Sequence, residues 1–333
     1  MEIIVQKRGA KISLINGMLL ISHEDDEHKI PISKITSLHL SKGCLVSTDA
    51  LILAMEEGID VLFVTGRGKA IGRLWNSKFG SISTIRKNQF AFVQSEAAKT
   101  WVQEVLRKKL SNQQALLITL YRVDRSTDEL IDESVAFLEK YKEKIAAWKD
   151  GTLGELSDKW RGWEGACGKK YFACINCHLP DIYRFEKRSQ HPARDMFNAL
   201  LNYAYGMLYG KIEGALIKAG IDPFIGIMHR NEYNKPVLSY DIIEVFRYWA
   251  DFVVTNLCMQ QVIFPDMFRV EGDEWLLSDP GKRILIQSLK DYLDELVDWE
   301  CLSRSRETHL DLYCQKFATS LKNFEESLDN QVQ

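Results

Sequence analysis

The stretch Ile12-Ser13-Leu14-Ile15-Asn16-Gly17-Met18-Leu19-Leu20-Ile21 decides how the chain begins. Two short apolar runs flank Asn16-Gly17, and that dipeptide supplies the positive φ angles of a tight two-residue hairpin turn. Further short, β-branched runs lie around it: Ile3-Ile4-Val5, Ile30-Pro31-Ile32, Ile35 to Leu40 and Ile59 to Val64. One helix is expected among them, capped by Ser47 or Thr48, running through Leu51-Ile52-Leu53-Ala54-Met55 and stopped at Gly58. Residues 1–85 therefore read as a β-rich, sandwich-like domain.

After Arg86 the apolar residues take up helical spacing and keep it. Helices are expected over Gln89 to Leu110, Asn112 to Tyr121, Asp128 to Trp148, Ala193 to Ala219, Val237 to Asn256, Gly281 to Trp299 and Glu307 to Leu328. Pro192 lies near one helix start, Gly220 just past its end, and Ser278-Asp279-Pro280 opens another. Between Lys149 and Asp195 the pattern is interrupted by Trp, Gly, Cys and basic residues. Residues 86–333 thus read as an all-α domain, and the whole chain as α+β.

With 333 residues, 46% of them hydrophobic and 27% charged, the chain can bury one large core or two ordinary ones, which excludes disorder as its main state. Lys plus Arg number 43 against 46 Asp plus Glu. That balance excludes wholesale electrostatic coating of a polyanion, so such a partner must be held by a local basic patch or a bound cation. No stretch approaches the ~18 to 20 apolar residues that span a bilayer, and Met1 to Arg8 reads as a strand with a charged end, so a soluble, cytoplasmic protein without membrane contact is expected. The seven cysteines, an odd and scattered set, are expected to be reduced thiols.

Three places can carry chemistry. On the helix from Leu238, the residues Leu238, Ile242, Val245, Trp249 and Phe252 form the buried stripe, and Asp241, Glu244, Tyr248 and Asp251 form a second stripe beside it. Asp241 and Glu244 point the same way, either as a solvated acidic edge with Arg247 as partner or around a cation. Just upstream, Gly220-Ile221-Asp222-Pro223-Phe224-Ile225-Gly226-Ile227-Met228-His229 delivers an imidazole to the edge of the core, as a structural residue or as a ligand. Glu164, among Trp160, Gly162, Trp163 and Gly165, is either a helix-start glutamate or a carboxylate in a partly dry wall that a second backbone approaches closely.

From 161 to 195, Arg161, Lys169, Lys170, Arg184, Lys187, Arg188 and Arg194 stand against four acidic residues, with Tyr171, Phe172, Tyr183 and Phe185 interleaved. This is either a DNA-contacting strip or an ordinary solvated surface over core aromatics. Cys174-Ile175-Asn176-Cys177-His178 has the spacing of a haem-attachment motif, which export would have to accompany. Cys167, Cys174, Cys177 and His178 remain as a structural zinc site or as buried cysteines on a helix.

Four blocks in order resemble the CRISPR-associated integrase family, which inserts new spacers into CRISPR arrays. They are Glu164-Gly165 followed by Tyr171-Phe172, the block Pro192 to Tyr205, the block Gly220 to His229, and Tyr240-Asp241-Ile242-Ile243-Glu244-Val245-Phe246-Arg247. Lys109-Leu110-Ser111-Asn112-Gln113 and the β-rich beginning fit as well. Met196 and Tyr248 stand where proline is frequent in that family, and Lys235 where arginine is common and contacts phosphate.

The resemblance implies a divalent metal, magnesium or manganese, held by Glu164, His229 and Glu244, with Asp241 beside it as a fourth catalytic residue. Two carboxylates and one imidazole suit such an ion and leave positions for substrate oxygens. It further implies a DNA endonuclease and integrase that joins a 3′ hydroxyl to a repeat phosphodiester. The implied partners are double-stranded prespacer and repeat DNA, a second copy of the chain paired through the first domain, and a small ferredoxin-like companion protein. A catalytically silent DNA-binding scaffold and a general metal-dependent nuclease of DNA repair are the alternatives. The scaffold has no need of converging metal ligands, and the repair nuclease is separated by whether joining outruns hydrolysis.

Overall fold

The computed structural model describes residues 1–65, 70–74, 82–121, 128–149, 151–229, 233–299 and 301–324. The chain separates into two compact units, Met1–Gly80 and Ser81–Gln333.

The first unit holds β1 (Glu2–Val5), β2 (Lys11–Ile15), β3 (Met18–His23), β4 (Asp26–Pro31), β5 (Ser37–Ser41), β6 (Leu45–Val46), α1 (Thr48–Glu56), β7 (Asp60–Val64) and β8 (Ala70–Leu74). They form two sheets, ordered β1-β5-β7-β8 and β4-β3-β2-β6. Asn16 and Gly17 both have positive φ, at 51° and 72°, and turn β2 into β3 in antiparallel register. Ser47 caps α1 by accepting a hydrogen bond from the Ala50 amide, and Gly58, at φ 70°, ends that segment. Both sheets feed one apolar core, to which they give Ile3, Ile12, Leu19, Leu38 and Val61 while α1 gives Ala50 and Ala54. That is the sandwich-like plan the apolar runs predict.

The second unit is helical: α2 (Ile82–Val93), α3 (Glu96–Ile118), α4 (Asp128–Ala146), α5 (Leu153–His178), α6 (Met196–Lys218), α7 (Val237–Met259), α8 (Asp279–Asp294) and α9 (Arg306–Lys322). Two short hairpins join them, β9 (Phe268–Glu271) with β10 (Glu274–Leu277), and β11 (Leu296–Trp299) with β12 (Leu302–Ser305). The expected helix over Gly281 to Trp299 therefore gives way to a strand at Leu296, and the helix expected as far as Leu328 stops earlier, at Lys322, capped by Asn323. No helix among the described residues is long and apolar enough to cross a membrane.

Three differences from the expected helices bear on the site. The first helix starts at Ile82, ahead of Arg86, because Ile85 is buried in the helical core. The break expected at Ser111 lies instead at Gln94-Ser95, and α3 runs straight through Asn112. The Asn112 amide donates to the Val245 carbonyl of α7 at 2.8 Å, so this side chain is engaged elsewhere and does not compete with its own backbone. The interrupted interval contains α5, whose buried stripe of Leu156, Trp160, Cys167, Tyr171, Cys174 and His178 outweighs its glycines.

Candidate active site

Two helices from distant parts of the sequence bring the two glutamates to a third. Glu164 projects from the middle of α5 and Glu244 from α7, and both helices pack on α3. Lys109 of α3 meets them: its Nζ donates to Glu164 Oε1 at 2.6 Å and is ion-paired with Glu244 Oε2. The lysine is buried and Glu244 is 2% exposed, whereas the Glu164 side chain keeps 39% of its surface. Arg247, one turn on from Glu244, donates to Glu244 Oε1 at 2.9 Å and to the Tyr209 hydroxyl at 3.0 Å.

The electrostatics follow from this geometry. Burial opposes ionisation of Glu244, but the charges of Arg247 and Lys109 outweigh it and hold the carboxyl at about 2. Burial likewise acts against the Lys109 ammonium, and the charges of Glu244 and Glu164 overcome it, so its pKa is raised. Arg247 is raised well above its ordinary value, chiefly by Glu244 acting against burial.

His229 lies in a loop segment folded around Asp241. The Asp241 carboxylate is fully buried and accepts from the backbone amides of Ile227 (2.6 Å), Met228 (3.1 Å) and His229 (3.0 Å). Its Oδ1 also lies 2.6 Å from His229 Nδ1. Gly226 makes this tight turn possible, since a Cβ there would sit 2.5 Å from the His229 carbonyl oxygen. At the loop's start the buried Gln89 side chain of α2 accepts from the Asp222 amide (3.0 Å) and donates to its carbonyl (2.8 Å). Burial pulls the His229 pKa down, but the hydrogen bond and charge of Asp241, with the charges of Glu244 and Glu164, raise it above 6.5.

Asp241 thus builds the loop and orients the imidazole. Both of its oxygens are engaged by the loop and by Nδ1, which leaves Nε2 on the far side of the ring from Asp241. Among the described residues, no three acidic, imidazole or thiol side chains stand as a ready-made metal cluster. The position between the two glutamates belongs to the Lys109 ammonium. The donor set nonetheless fits a hard divalent cation: two carboxylates and an oriented imidazole, with a buried Glu244 Oε2 that has an ion-pair partner but no hydrogen bond of good geometry.

A cavity of about 700 Å³ opens beside Glu164, lined among others by Lys109, Arg247, Arg188, Lys169, Lys187 and Tyr205. Three of the expected DNA-contacting residues therefore share one concavity with the carboxylate, namely Lys169, Lys187 and Arg188. Arg188 is engaged inside the fold, with Nη2 donating to Asn202 at 3.0 Å and Nη1 to Asn198. Arg161 is paired with Asp158, Arg184 with Asp181 at 3.0 Å, and Lys170 with Glu133 at 3.0 Å, so these three are not a free row of cations. Arg194 and Lys235 are exposed.

The helix-start reading of Glu164 and the close approach of a second backbone both need correction, while its part-buried place in the cavity wall stands. It lies well inside α5, more than two turns from the capping Thr152, and nothing comes within 4 Å of a Cβ built at Gly162 or Gly165, so no second backbone approaches there. Cys167 and Cys174 are buried on the same helix, Cys177 is exposed, and the His178 Nδ1 is 2.7 Å from the Cys174 carbonyl. That is the buried-cysteine arrangement rather than a zinc site, with burial pushing the Cys167 thiol up to about 12. All seven cysteines are free. Sequence reasoning missed Lys109 as a site residue, although a lysine in the apolar stripe Val102, Val105, Leu106 and Leu110 is a recognisable signal.

Glu164, Lys109 and Arg247 line the cavity, and Lys109 and Arg247 link it to the buried Glu244, an arrangement of carboxylates and fixed cations suited to phosphodiesters. The chain belongs to the Cas1 family: the description "CRISPR associated protein Cas1" matches residues 3–291. It is 28% identical over 306 residues to the CRISPR-associated endonuclease Cas1 1 of Archaeoglobus fulgidus, covering 88% of each chain. Among solved structures, a casposase bound to integration product matches with a TM-score of 0.79 at 18% identity, over 98% of this chain and 92% of that one. A Cas6-RT-Cas1–Cas2 complex matches with a TM-score of 0.77 at 21% identity, over 97% of this chain and 35% of that one. At these identities the structural likeness shows a shared fold.

Proposed function

We propose that the helical unit is a divalent-metal-dependent DNA endonuclease and strand-transfer centre, with Glu164, His229 and Glu244 as the residues that hold the ion. Membership of the Cas1 family makes the protein an enzyme of CRISPR spacer integration. The observation that carries the metal reading is the meeting of Glu164 and Glu244 on one ammonium, beside a histidine that Asp241 orients.

When bound, magnesium or manganese polarises the scissile phosphodiester and lowers the pKa of an attacking hydroxyl. The chain's own residues do the rest. Arg247 holds Glu244 in one rotamer and Asp241 holds the imidazole. Lys109 is the cation nearest to both carboxylates, and with Arg247, Lys169 and Lys187 it supplies positive charge to non-bridging phosphate oxygens in the cavity. Attack by a DNA 3′ hydroxyl joins strands, attack by water nicks, and neither requires a covalent enzyme intermediate.

For partners, the name of the Cas6-RT-Cas1–Cas2 complex supports a Cas2-type companion, and that of a TtCas1–DNA complex supports DNA. Homodimerisation through the strand-rich unit, which suits two staggered joins, and a ferredoxin-like form for the companion belong to the same proposal.

The test is integration of a labelled oligonucleotide into a supercoiled target carrying a repeat, with and without Mn²⁺. Joined product that depends on the metal is expected, and Glu164→Ala, His229→Ala and Glu244→Ala should each lose more than the about 10- to 100-fold that outer-shell changes cost. Full activity in His229→Ala would remove the imidazole from the ligand set. Hydrolysis outrunning joining would favour the repair nuclease.

A further inference from the structure

Seven residues beyond Glu164 on α5 stands Tyr171, and seven residues beyond Glu244 on α7 stands Asp251. On an α-helix that spacing returns to nearly the same face two turns away, roughly 10 Å along the axis. The two partners meet there as the glutamates meet at Lys109: Tyr171 Oη donates to Asp251 Oδ2 at 2.9 Å. Tyr205 of α6 donates to the other oxygen at 2.5 Å, so the carboxylate cannot turn. All three side chains are at most 5% exposed. The ring of Tyr205 also lies 4.8 Å from the Arg247 guanidinium, the group that fixes Glu244.

We propose that Tyr171 and Asp251 are positioning residues for catalysis, whose hydrogen bond sets the register of α5 against α7 and with it the separation of Glu164 and Glu244. This rests on the reading of those glutamates as metal ligands. Lys109 cannot set that separation, because its four-carbon stem and rotatable ammonium follow modest shifts of either helix. A phenol on a rigid ring, bonded to a carboxylate pinned from its other side, is directional. A buried acid is also a costly way to stabilise a helical core, since an apolar pair of equal volume serves stability as well or better.

The test uses the full chain and Mn²⁺ alone, titrated calorimetrically. Tyr171→Phe, which keeps the ring, and Asp251→Asn should each weaken Mn²⁺ binding about tenfold, as outer-shell changes at metal sites do. The double variant should be no worse than the poorer single one, because both act through the same Tyr171–Asp251 hydrogen bond. In integration assays the Mn²⁺ concentration for half-maximal rate should rise, and the rate at saturating Mn²⁺ should recover. Leu289→Ala in the α8 core is the control, expected to lower the melting temperature without moving Mn²⁺ affinity. Wild-type Mn²⁺ affinity in Tyr171→Phe, additive losses in the double variant, or an equal loss in Leu289→Ala would each overturn the clamp. Glu164→Ala in the same titration separates the two layers: if it binds Mn²⁺ like wild type, the metal reading falls and the clamp falls with it.

Discussion

Lys109 Nζ lies 2.6 Å from Glu164 Oε1. The same ammonium is the partner of Glu244 Oε2, so one cation neutralises two carboxylates carried by different helices. Without it, Glu244 keeps its hydrogen bond from Arg247, and Glu164 keeps its partial exposure to water.

Lys109→Met should therefore destabilise the protein in EDTA and make it lean more on a divalent ion. Removing one partner of a buried pair costs about 3–5 kcal/mol, and the exposure of Glu164 favours the lower figure. At about 2–4 °C per kcal/mol for larger domains, the melting temperature should fall by roughly 6–12 °C. Added Mn²⁺ should raise it further in the variant than in wild type. Glu244 adds an acid signature: its folded pKa of about 2 lies below the ordinary 4.5, so its stabilisation is complete above 4.5 and is lost as pH falls toward 2. The variant should lose part of that acid-sensitive increment. Identical melts in EDTA would show that Lys109 does not carry this load.

The helix that carries Glu164 was legible in principle and was masked by its composition. Gly154, Gly162, Gly165 and Gly168 each lower helix propensity, and the cysteines and basic residues suggested other motifs. Yet Leu156, Trp160, Trp163, Cys167, Tyr171, Cys174 and His178 follow 4-3-4-4-3-4 spacing, and Thr152 with Glu155 forms a capping box at the start. The strand-rich unit was easier, because Asn16-Gly17 fixes its turn locally. Lys109 and Asp251 were harder, because a buried charge is explained only by partners that tertiary structure brings from afar.

The capping box gives a direct check on α5. Thr152 accepts from the Glu155 amide at 3.3 Å, and Glu155 Oε2 accepts from the Thr152 amide at 2.9 Å. Thr152→Ala should cost about 1 kcal/mol. Because the change frays the helix end and leaves the Glu164 region packed, Mn²⁺ affinity should stay at the wild-type value in calorimetry. A loss of affinity matching the loss of stability would mean that α5 moves as one rigid rod.

For DNA, the exposed lysines of the cavity are the informative ones. Lys169 and Lys187 line the same concavity as Glu164, while Arg188 is bonded to Asn198 and Asn202. Removing one cation that neutralises a phosphate should flatten the dependence of log K on log salt by about 0.9 for duplex DNA. Lys169→Ala with Lys187→Ala should thus shift the slope by nearly 2 without changing the melt, whereas Arg188→Glu should lower the melting temperature. Fluorescence anisotropy across a salt series reads this, and an unchanged slope in the double variant removes the cavity lysines from the interface.

Asp241 and His229 make the sharpest pH prediction. The raised pKa of His229 means that the protonated imidazole contributes stability below 6.5 that is lost as pH rises through the folded value. Asp241→Asn removes the hydrogen bond to a full charge and that charge itself, but leaves burial, which favours the neutral ring. The His229 titration, followed by NMR of its ring proton in metal-free protein, should therefore move to lower pH in the variant. A metal ligand must be the neutral imidazole, so Mn²⁺ affinity should climb as pH passes the His229 value, and the climb should begin at lower pH in Asp241→Asn. Its plateau should be about 10- to 100-fold weaker, because the ring is no longer held by its Nδ1. Coincident His229 titrations in the two proteins would show that the 2.6 Å contact does not set the proton's affinity.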